Sequence, residues 1–287
     1  MAVVIHIWNA KAKPRLMPLR RWGAHFSVGL SIALTLSAAV AHGQDVTPEE
    51  AQDPLTQVRG VTFQNNVDFG IGEDDRTGYR LLLQPWQTEI GTGQWMRLRS
   101  IAGLPLIYLP GSSPDEGGTF GLGDGEMSAF WTPRKTGRAL VGVGPIVRVP
   151  LATDARLGSG KWSAGVTVAA VARPRRWLVG FRTHNLWSVA GDEERPDVNQ
   201  FFFQYLVLRA VVHGWYVVSA PTFTANLKAP SGNQWLVPVG GGAGKLFRVG
   251  RRAIDVQTSV YYNVIRPESL PSARWTLRVQ VQFLFAR

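Results

Sequence analysis

Polar and apolar side chains alternate along most of the chain with a period of two residues. In the last segment, Trp275 and Leu277 fall on one face of an extended chain, and Thr276 and Arg278 fall on the other. No segment keeps a helical stripe for three turns, so the alternation predicts an all-β chain. The predicted strands are 61–70, 78–87, 96–107, 125–132, 138–150, 161–173, 176–188, 198–210, 214–225, 234–248, 253–263 and 274–285.

The lengths of these strands and of their connections favour a membrane barrel. Most strands have the roughly ten residues that a tilted strand needs to cross a bilayer. Long polar loops alternate with tight turns rich in Pro and Gly, and only 88–95 breaks the rule. The long loops are 71–77, 108–124, 151–160, 189–197, 226–233 and 264–273. We predict a single antiparallel up-and-down transmembrane β-barrel of about 12 strands over 61–287, with periplasmic termini. A soluble periplasmic barrel is the alternative fold.

Residues 1–43 have the composition of a secretory signal peptide. Arg20 and Arg21 precede the apolar run 26–41, and small residues follow. An uncleaved anchor helix is the alternative. Met17 begins a compact version of the same signal and is a candidate start of translation. We therefore expect export through the general secretory pathway to the bacterial outer membrane, with 44–60 as a periplasmic segment ahead of the barrel.

Composition agrees with this prediction. The 11 Trp, 13 Phe and 6 Tyr suit aromatic belts at a membrane interface. A mean hydropathy of -0.03 is too polar for a bundle of membrane helices but typical of a barrel. The absence of Cys excludes disulfides and thiol chemistry. The net charge of +11 includes five basic residues of the signal, and the remaining 26 basic and 20 acidic residues form no Lys/Arg-rich run, so we expect no nucleic-acid binding.

Short motifs over roughly 54–287 resemble one family of bacterial outer-membrane proteins, which is commonly and misleadingly labelled neuromedin U. The matching phrases are Asp53-Pro-Leu-Thr56, Gly121-Leu-Gly-Asp124, Gly142-Val-Gly-Pro145, Leu157-Gly-Ser-Gly-Lys-Trp162, Trp187-Ser-Val-Ala-Gly-Asp192, Arg195-Pro-Asp-Val-Asn199, Gly214-Trp-Tyr216, Gly244-Lys245 with Val249-Gly250, and Arg274-Trp275. The resemblance implies a transporter-like or porin-like barrel of unsettled substrate, and the family has no established catalytic residues to assign to this sequence. One departure is that Ala286 and Arg287 follow Phe285, whereas an outer-membrane assembly signal usually ends on an aromatic residue.

Alternation also assigns side chains to the barrel interior. We expect the pore-lining residues to include Arg97, Arg99, Arg148, Arg182, His184, Arg278, Gln280, Asp68 and Asp255, and Gln64, Asn66, Gln257 and Gln282 share their phase. Twelve strands enclose a lumen that is narrower than that of the large porins. Arginines in a narrow pore favour anions. Alternatively, they pair with Asp68, Asp255 or Glu126 and seal the interior.

Candidates for other chemistry are weaker. A barrel esterase would need a serine hydroxyl within hydrogen-bond reach of His184, and Ser188 on the same strand is about 13 Å away. The glycine-rich run 240–245 lacks the spacing and the hydroxyl of a phosphate loop. The acidic residues of 192–197, like Asp124 between two glycines, follow no ordered calcium loop.

The sequence thus predicts a passive channel or transporter for small solutes, among which the lumen arginines favour anions. The first alternative is a non-conducting structural or surface-interaction barrel whose loops 108–124 and 189–197 contact the envelope or a partner, and the second is the esterase. We expect no enzymatic activity, no cofactor and no bound metal. The expected partners are outer-membrane lipid and lipopolysaccharide, the barrel-assembly machinery, and small solutes.

Overall fold

The computed structural model describes residues 46–55, 58–84, 87–92, 96–111, 116–133, 139–250, 252–267 and 272–285. The predicted signal peptide lies outside this part of the chain. The elements are one helix, α1 (Pro48–Gln52), and the strands β1 (Arg59–Ile71), β2 (Arg76–Gln84), β3 (Gln87–Thr92), β4 (Met96–Leu109), β5 (Thr119–Leu122), β6 (Gly125–Pro133), β7 (Ala139–Val149), β8 (Lys161–Ala172), β9 (Trp177–Gly191), β10 (Asn199–Ala210), β11 (Trp215–Ser219), β12 (Thr222–Asn226), β13 (Trp235–Val249), β14 (Arg252–Ile265) and β15 (Trp275–Phe285).

All strands belong to one antiparallel sheet that closes on itself. Three barrel strands are interrupted, because β2 continues as β3, β5 as β6, and β11 as β12. Each strand pairs with its neighbours in sequence, and β1 pairs with β15 to close the ring. The result is the predicted up-and-down barrel of twelve strands, without a free sheet edge.

The alternation of the sequence becomes an inside and an outside. On β14, Asp255 and Gln257 point inward and are buried. Val260 and Tyr262, which have the opposite phase, point outward and are more than 40% exposed. The same pattern recurs on β7, where Leu140 and Ile146 point inward and Val141 and Val143 outward. The interior contains many polar and small residues beside its leucines, whereas the exposed face carries large apolar residues. The outer face of the barrel is therefore more apolar than its inner face. That distribution is typical of a barrel whose outside meets lipid.

Exposed aromatic side chains form two belts around the barrel. The belt near the long loops contains Phe69, Tyr108, Phe120, Trp162, Trp187, Trp235, Tyr262 and Trp275. The belt near the short turns contains Trp131, Trp177, Trp215 and Phe247. Trp177 and Trp187 are ten residues apart on β9. That separation is about 33 Å along a strand, or about 25 Å of height at a tilt of roughly 40°, which matches the apolar band of outer-membrane barrels. Among the described residues, no α-helix is long and apolar enough to cross a membrane.

Two connections differ from the sequence prediction. The region 88–95 is mostly strand, because the backbone of Gln87–Thr92 forms a regular ladder with β4. Only 93–95, which the structure does not describe, separates β3 from β4. This connection is therefore short, in agreement with the alternation of long loops and tight turns. The first connection, predicted as a long loop over 71–77, is a four-residue turn at 72–75, because β1 extends through a bulge to Ile71.

The long loops pack over the barrel end from which they emerge. Leu157 is fully buried against Ile107 and Leu109 of β4. Arg195 donates hydrogen bonds to the carbonyl oxygens of Ala155 (2.7 Å) and Gly158 (2.5 Å), which joins two loops. These contacts fix the loops 150–160 and 192–198 to each other and to the barrel wall.

Candidate functional site

The N-terminal segment lies inside the barrel, at the end that carries the short turns. Thr47 caps α1 in a reciprocal arrangement with Glu50, and Pro48 occupies the first turn, where its missing N–H costs nothing. Ala51 is buried in a cluster with Leu246, Ala253 and Leu284 of the barrel wall. We call residues 46–55 the plug.

Apolar packing seats the far end of the plug. Leu55 is buried in a cluster of inward side chains. Its neighbours in that cluster include Phe130, Leu140, Leu178 and Leu208. Burial of one leucine side chain contributes about 2 kcal/mol. The segment predicted only as a periplasmic extension thus occupies the mouth of the lumen.

Gln52 is the polar centre of the plug. Its amide nitrogen donates to Asp255 (2.6 Å), to Tyr216 (3.2 Å) and to Gln282 (3.3 Å), and the Tyr216 hydroxyl donates to Asp255 (2.8 Å). A side chain at Gly244 would overlap the Tyr216 ring, so the glycine-rich part of β13 makes room for this network. The glycine-rich run 240–245 therefore admits a tyrosine that holds the plug.

Asp53 forms the second polar anchor. It is buried, accepts a hydrogen bond from the Leu55 N–H (2.6 Å) and pairs with Arg173 of the turn between β8 and β9. Burial raises the pKa of the Asp53 carboxyl, and the Arg173 guanidinium opposes that rise. The plug is thus tied to the wall at two places, to the β8–β9 turn by Asp53 and to β11 and β14 by Gln52.

A cavity of about 120 Å³ lies beside the plug within the lumen. Its polar lining consists mainly of glutamines, including Gln64, Gln204, Gln257, Gln280 and Gln282. Among the described residues of the lining, Arg182 and Arg278 are the only charged side chains, and no described carboxylate lies within 4.0 Å of either guanidinium. Instead, Arg182 stacks on Phe202 at 4.8 Å, and Arg278 stacks on Tyr261 at 4.8 Å. The cavity therefore carries permanent positive charge, because arginine does not deprotonate in proteins.

A cluster of charged side chains from β6, β7 and β9 lies inside the lumen. Glu126 pairs with Arg148 (3.4 Å), which also donates to Gln200 on β10 (2.5 Å). The Nε2 atom of His184 lies 3.8 Å from the other oxygen of Glu126, and its ring stacks on Phe202 at 4.4 Å. Phe202 thus contacts both His184 and Arg182. The ion pair with Glu126 neutralises the charge of Arg148, which is one of the predicted pore arginines.

The predicted pore residues do not share a single site. Arg182, Arg278 and Gln280 line the cavity, whereas Arg148 and His184 join the Glu126 cluster. Asp255 binds the plug. Arg99 is buried and donates to Thr132 of the neighbouring strand, and Asp68 pairs with Arg80 at 3.2 Å. The side chain of Arg97 lies outside the described residues.

Sequence analysis missed Arg80, Gln52 and Asp53. Arg80 precedes Leu81-Leu82-Leu83, a run without alternation, so its phase could not be assigned. Gln52 and Asp53 precede the first strand, where period two gives no information. Only the Asp53-Pro-Leu-Thr56 phrase marked this segment.

The described geometry does not assemble a serine–histidine pair. The Nδ1 atom of His184 has no hydrogen-bond partner, and no hydrogen bond joins His184 to a serine hydroxyl among the described residues. Ser188 instead bonds to Asp197 (3.1 Å) and to the Val198 N–H (3.1 Å). Within the same described ranges, no group of three His, Asp or Glu side chains could hold a metal ion. Asp124 accepts two hydrogen bonds from Ser159.

Comparison with solved structures identifies the fold. The chain is similar to an outer-membrane channel from Pseudomonas putida F1, with a TM-score of 0.62 and 16% sequence identity over 84% of this chain and 100% of the other. The chain has the fold of a bacterial outer-membrane barrel. Weaker similarities involve the outer membrane phospholipase of Salmonella typhi (TM-score 0.44, 12% identity, 83% and 95% covered) and a FadL homologue of Pseudomonas aeruginosa (0.42, 8%, 80% and 91%). No protein-family model and no curated protein matches the chain. The fold supports a location in a bacterial outer membrane.

Proposed function

We propose that this barrel is a passive outer-membrane channel for small anionic solutes, and that the plug closes its short-turn mouth. The observation that carries the proposal is the charge of the cavity beside the plug. Two arginines line it together with neutral residues, and no described acidic side chain contributes to its lining. Positive groups along a narrow passage lower the barrier for anions and raise it for cations.

The glutamines of the cavity support transport of polar solutes. Gln64, Gln204 and Gln280 present amide groups that donate and accept hydrogen bonds, so they can replace part of the hydration shell of a passing solute. A lumen filled by packed apolar side chains would offer no such path. The cavity of about 120 Å³ suits only small solutes while the plug is seated.

The second candidate is a non-conducting structural barrel. It is favoured by the plug itself and by the Glu126–Arg148 pair, because both fill or neutralise the lumen. The loops 108–124 and 189–197 would then be the surface that contacts the envelope or a partner. The relation to the family labelled neuromedin U stays a prediction, as do export by the general secretory pathway, periplasmic termini and assembly by the barrel-assembly machinery.

Reversal-potential measurements in planar bilayers test the proposal. In a KCl gradient, we expect the native barrel to show a small conductance with a reversal potential that indicates anion preference. Arg182→Gln should lower the anion-to-cation permeability ratio by about twofold, because one of the two cavity charges is lost. The control Lys228→Gln changes an exposed loop cation and should leave the ratio unchanged. Cation preference of the native barrel would contradict the anionic substrate class, and no current above background would favour the structural barrel.

A further inference from the structure

A group of cations and tryptophans lies on the outer face of the barrel, at the short-turn end. We call it the basic patch, and it consists of Arg175, Arg176, Trp177, Arg209, Trp215 and Lys245. Strand register places these residues side by side, since Trp177 pairs with Arg209 and Trp215 pairs with Lys245 on adjacent strands. The patch therefore spans four neighbouring strands from β9 to β13.

The cations of the patch are held in place by the tryptophans and the backbone. The Arg209 guanidinium lies 5.3 Å from the centre of the Trp177 ring, and the Lys245 ammonium lies 5.1 Å from the Trp215 ring. Arg176 donates to the Val211 carbonyl oxygen at 3.2 Å. Backbone hydrogen bonds from Trp177 N–H to the Pro174 carbonyl oxygen (3.1 Å) and from Trp215 N–H to the Val212 carbonyl oxygen (3.0 Å) close the turns before β9 and β11. The Ala210 N–H also donates to the Arg176 carbonyl oxygen (2.8 Å), which joins β10 to the first of these turns. The positive charges are thus preorganised.

A surface depression of about 640 Å³ lies between these side chains. Arg175, Arg176 and Arg209 line its polar side, and Val211, Val212 and Val217 line its apolar side. All three valines are about half exposed. The depression thus combines a site for a negatively charged group with an apolar wall directly beside it.

The charge of the patch is unbalanced, unlike that of the opposite barrel end. Near the long loops, Arg156 pairs with Glu116 (3.1 Å) and Arg274 with Asp75 (3.5 Å). Around the depression, no described carboxylate pairs with Arg175, Arg176 or Arg209, and its lining contains no acidic residue. An exposed guanidinium without a carboxylate partner is free to bind a phosphate or another anion from its surroundings.

We propose that the basic patch binds the headgroup of an anionic phospholipid, in the membrane leaflet at the short-turn end. A guanidinium pair matches the geometry of a phosphate diester. The tryptophans lie at the depth of the headgroups, as in other membrane proteins, and the acyl chains follow Val217 and Val179 along the wall. The inference rests on the membrane location contained in the proposed function, but not on conduction.

Native mass spectrometry of the detergent-purified barrel tests this assignment. With equimolar phosphatidylglycerol and phosphatidylcholine, we expect adducts of phosphatidylglycerol to exceed those of phosphatidylcholine severalfold. The variants Arg209→Gln and Arg175→Gln/Arg176→Gln should remove most of that preference. Heat-modifiable migration in electrophoresis verifies that each variant is folded.

The matched control is Arg156→Gln/Lys228→Gln, which removes two exposed cations from the long-loop end and should leave the preference unchanged. Equal adducts of the two lipids on the native barrel would overturn the proposal. So would an equal loss of preference in the control, because the effect would then reflect net charge alone. A barrel that binds phosphatidylglycerol but carries no current would disprove only the channel, and the lipid site would stand.

Discussion

At the scale of single residues, Glu126 and Arg148 form a buried ion pair inside the barrel. Both side chains are almost fully buried, so neither is well solvated without the other. Arg148 keeps one further hydrogen bond, to Gln200, and His184 lies on the other side of the carboxylate. The alternation of β7 predicts that Arg148 points inward, but the identity of its partner depends on closure of the barrel.

Replacing Glu126 by Gln should lower the free energy of unfolding by about 3 kcal/mol, because a buried guanidinium loses its counter-charge. Urea titration of the barrel in lipid vesicles measures this change. The control Glu116→Gln breaks the half-exposed pair with Arg156 and should cost no more than about 0.5 kcal/mol. Equal effects of the two substitutions would show that the Glu126 pair is no better shielded from water than a surface pair.

At the scale of the elements, pairing between neighbouring strands determines which segments form strands. Sequence alternation located the twelve barrel strands because each turns one face to lipid, and this requirement is local. It missed β3, whose polar residues are held as a strand by pairing with β4. It also overestimated the length of the first loop, where Gly72 and the three acidic residues 73–75 form a tight turn.

Gly144, which belongs to the Gly142-Val-Gly-Pro145 motif, lies at a close contact between β7 and β6. A Cβ atom at this position would overlap the carbonyl oxygen of Ala129 on β6. We therefore expect Gly144→Ala to reduce the yield of folded, heat-modifiable barrel severalfold, because β6 and β7 could no longer approach. Gly117→Ala is the control, since nothing lies within 4 Å of its Cβ position. Normal folding of Gly144→Ala would show that the two strands tolerate a wider separation.

At the scale of the whole molecule, the plug determines what the barrel can do. The alternation predicted a narrow lumen with arginines, but it could not place residues 46–55. Within this segment, Gln52 and Asp53 bind side chains that lie 120 or more positions away in sequence. Such contacts form only after the sheet closes. The candidate site was therefore predictable in its wall residues, and unpredictable in the segment that fills its mouth.

Single-channel recording of the double variant Gln52→Ala/Asp53→Ala tests the central claim most directly. This variant removes the bonds of the plug to Asp255, Tyr216 and Arg173 and leaves the cavity arginines in place. We predict openings that are larger or longer than those of the native barrel, with the anion preference retained, whereas the control Glu49→Gln in the same segment behaves as native. Currents identical to native ones, or an open state that prefers cations, would contradict the account.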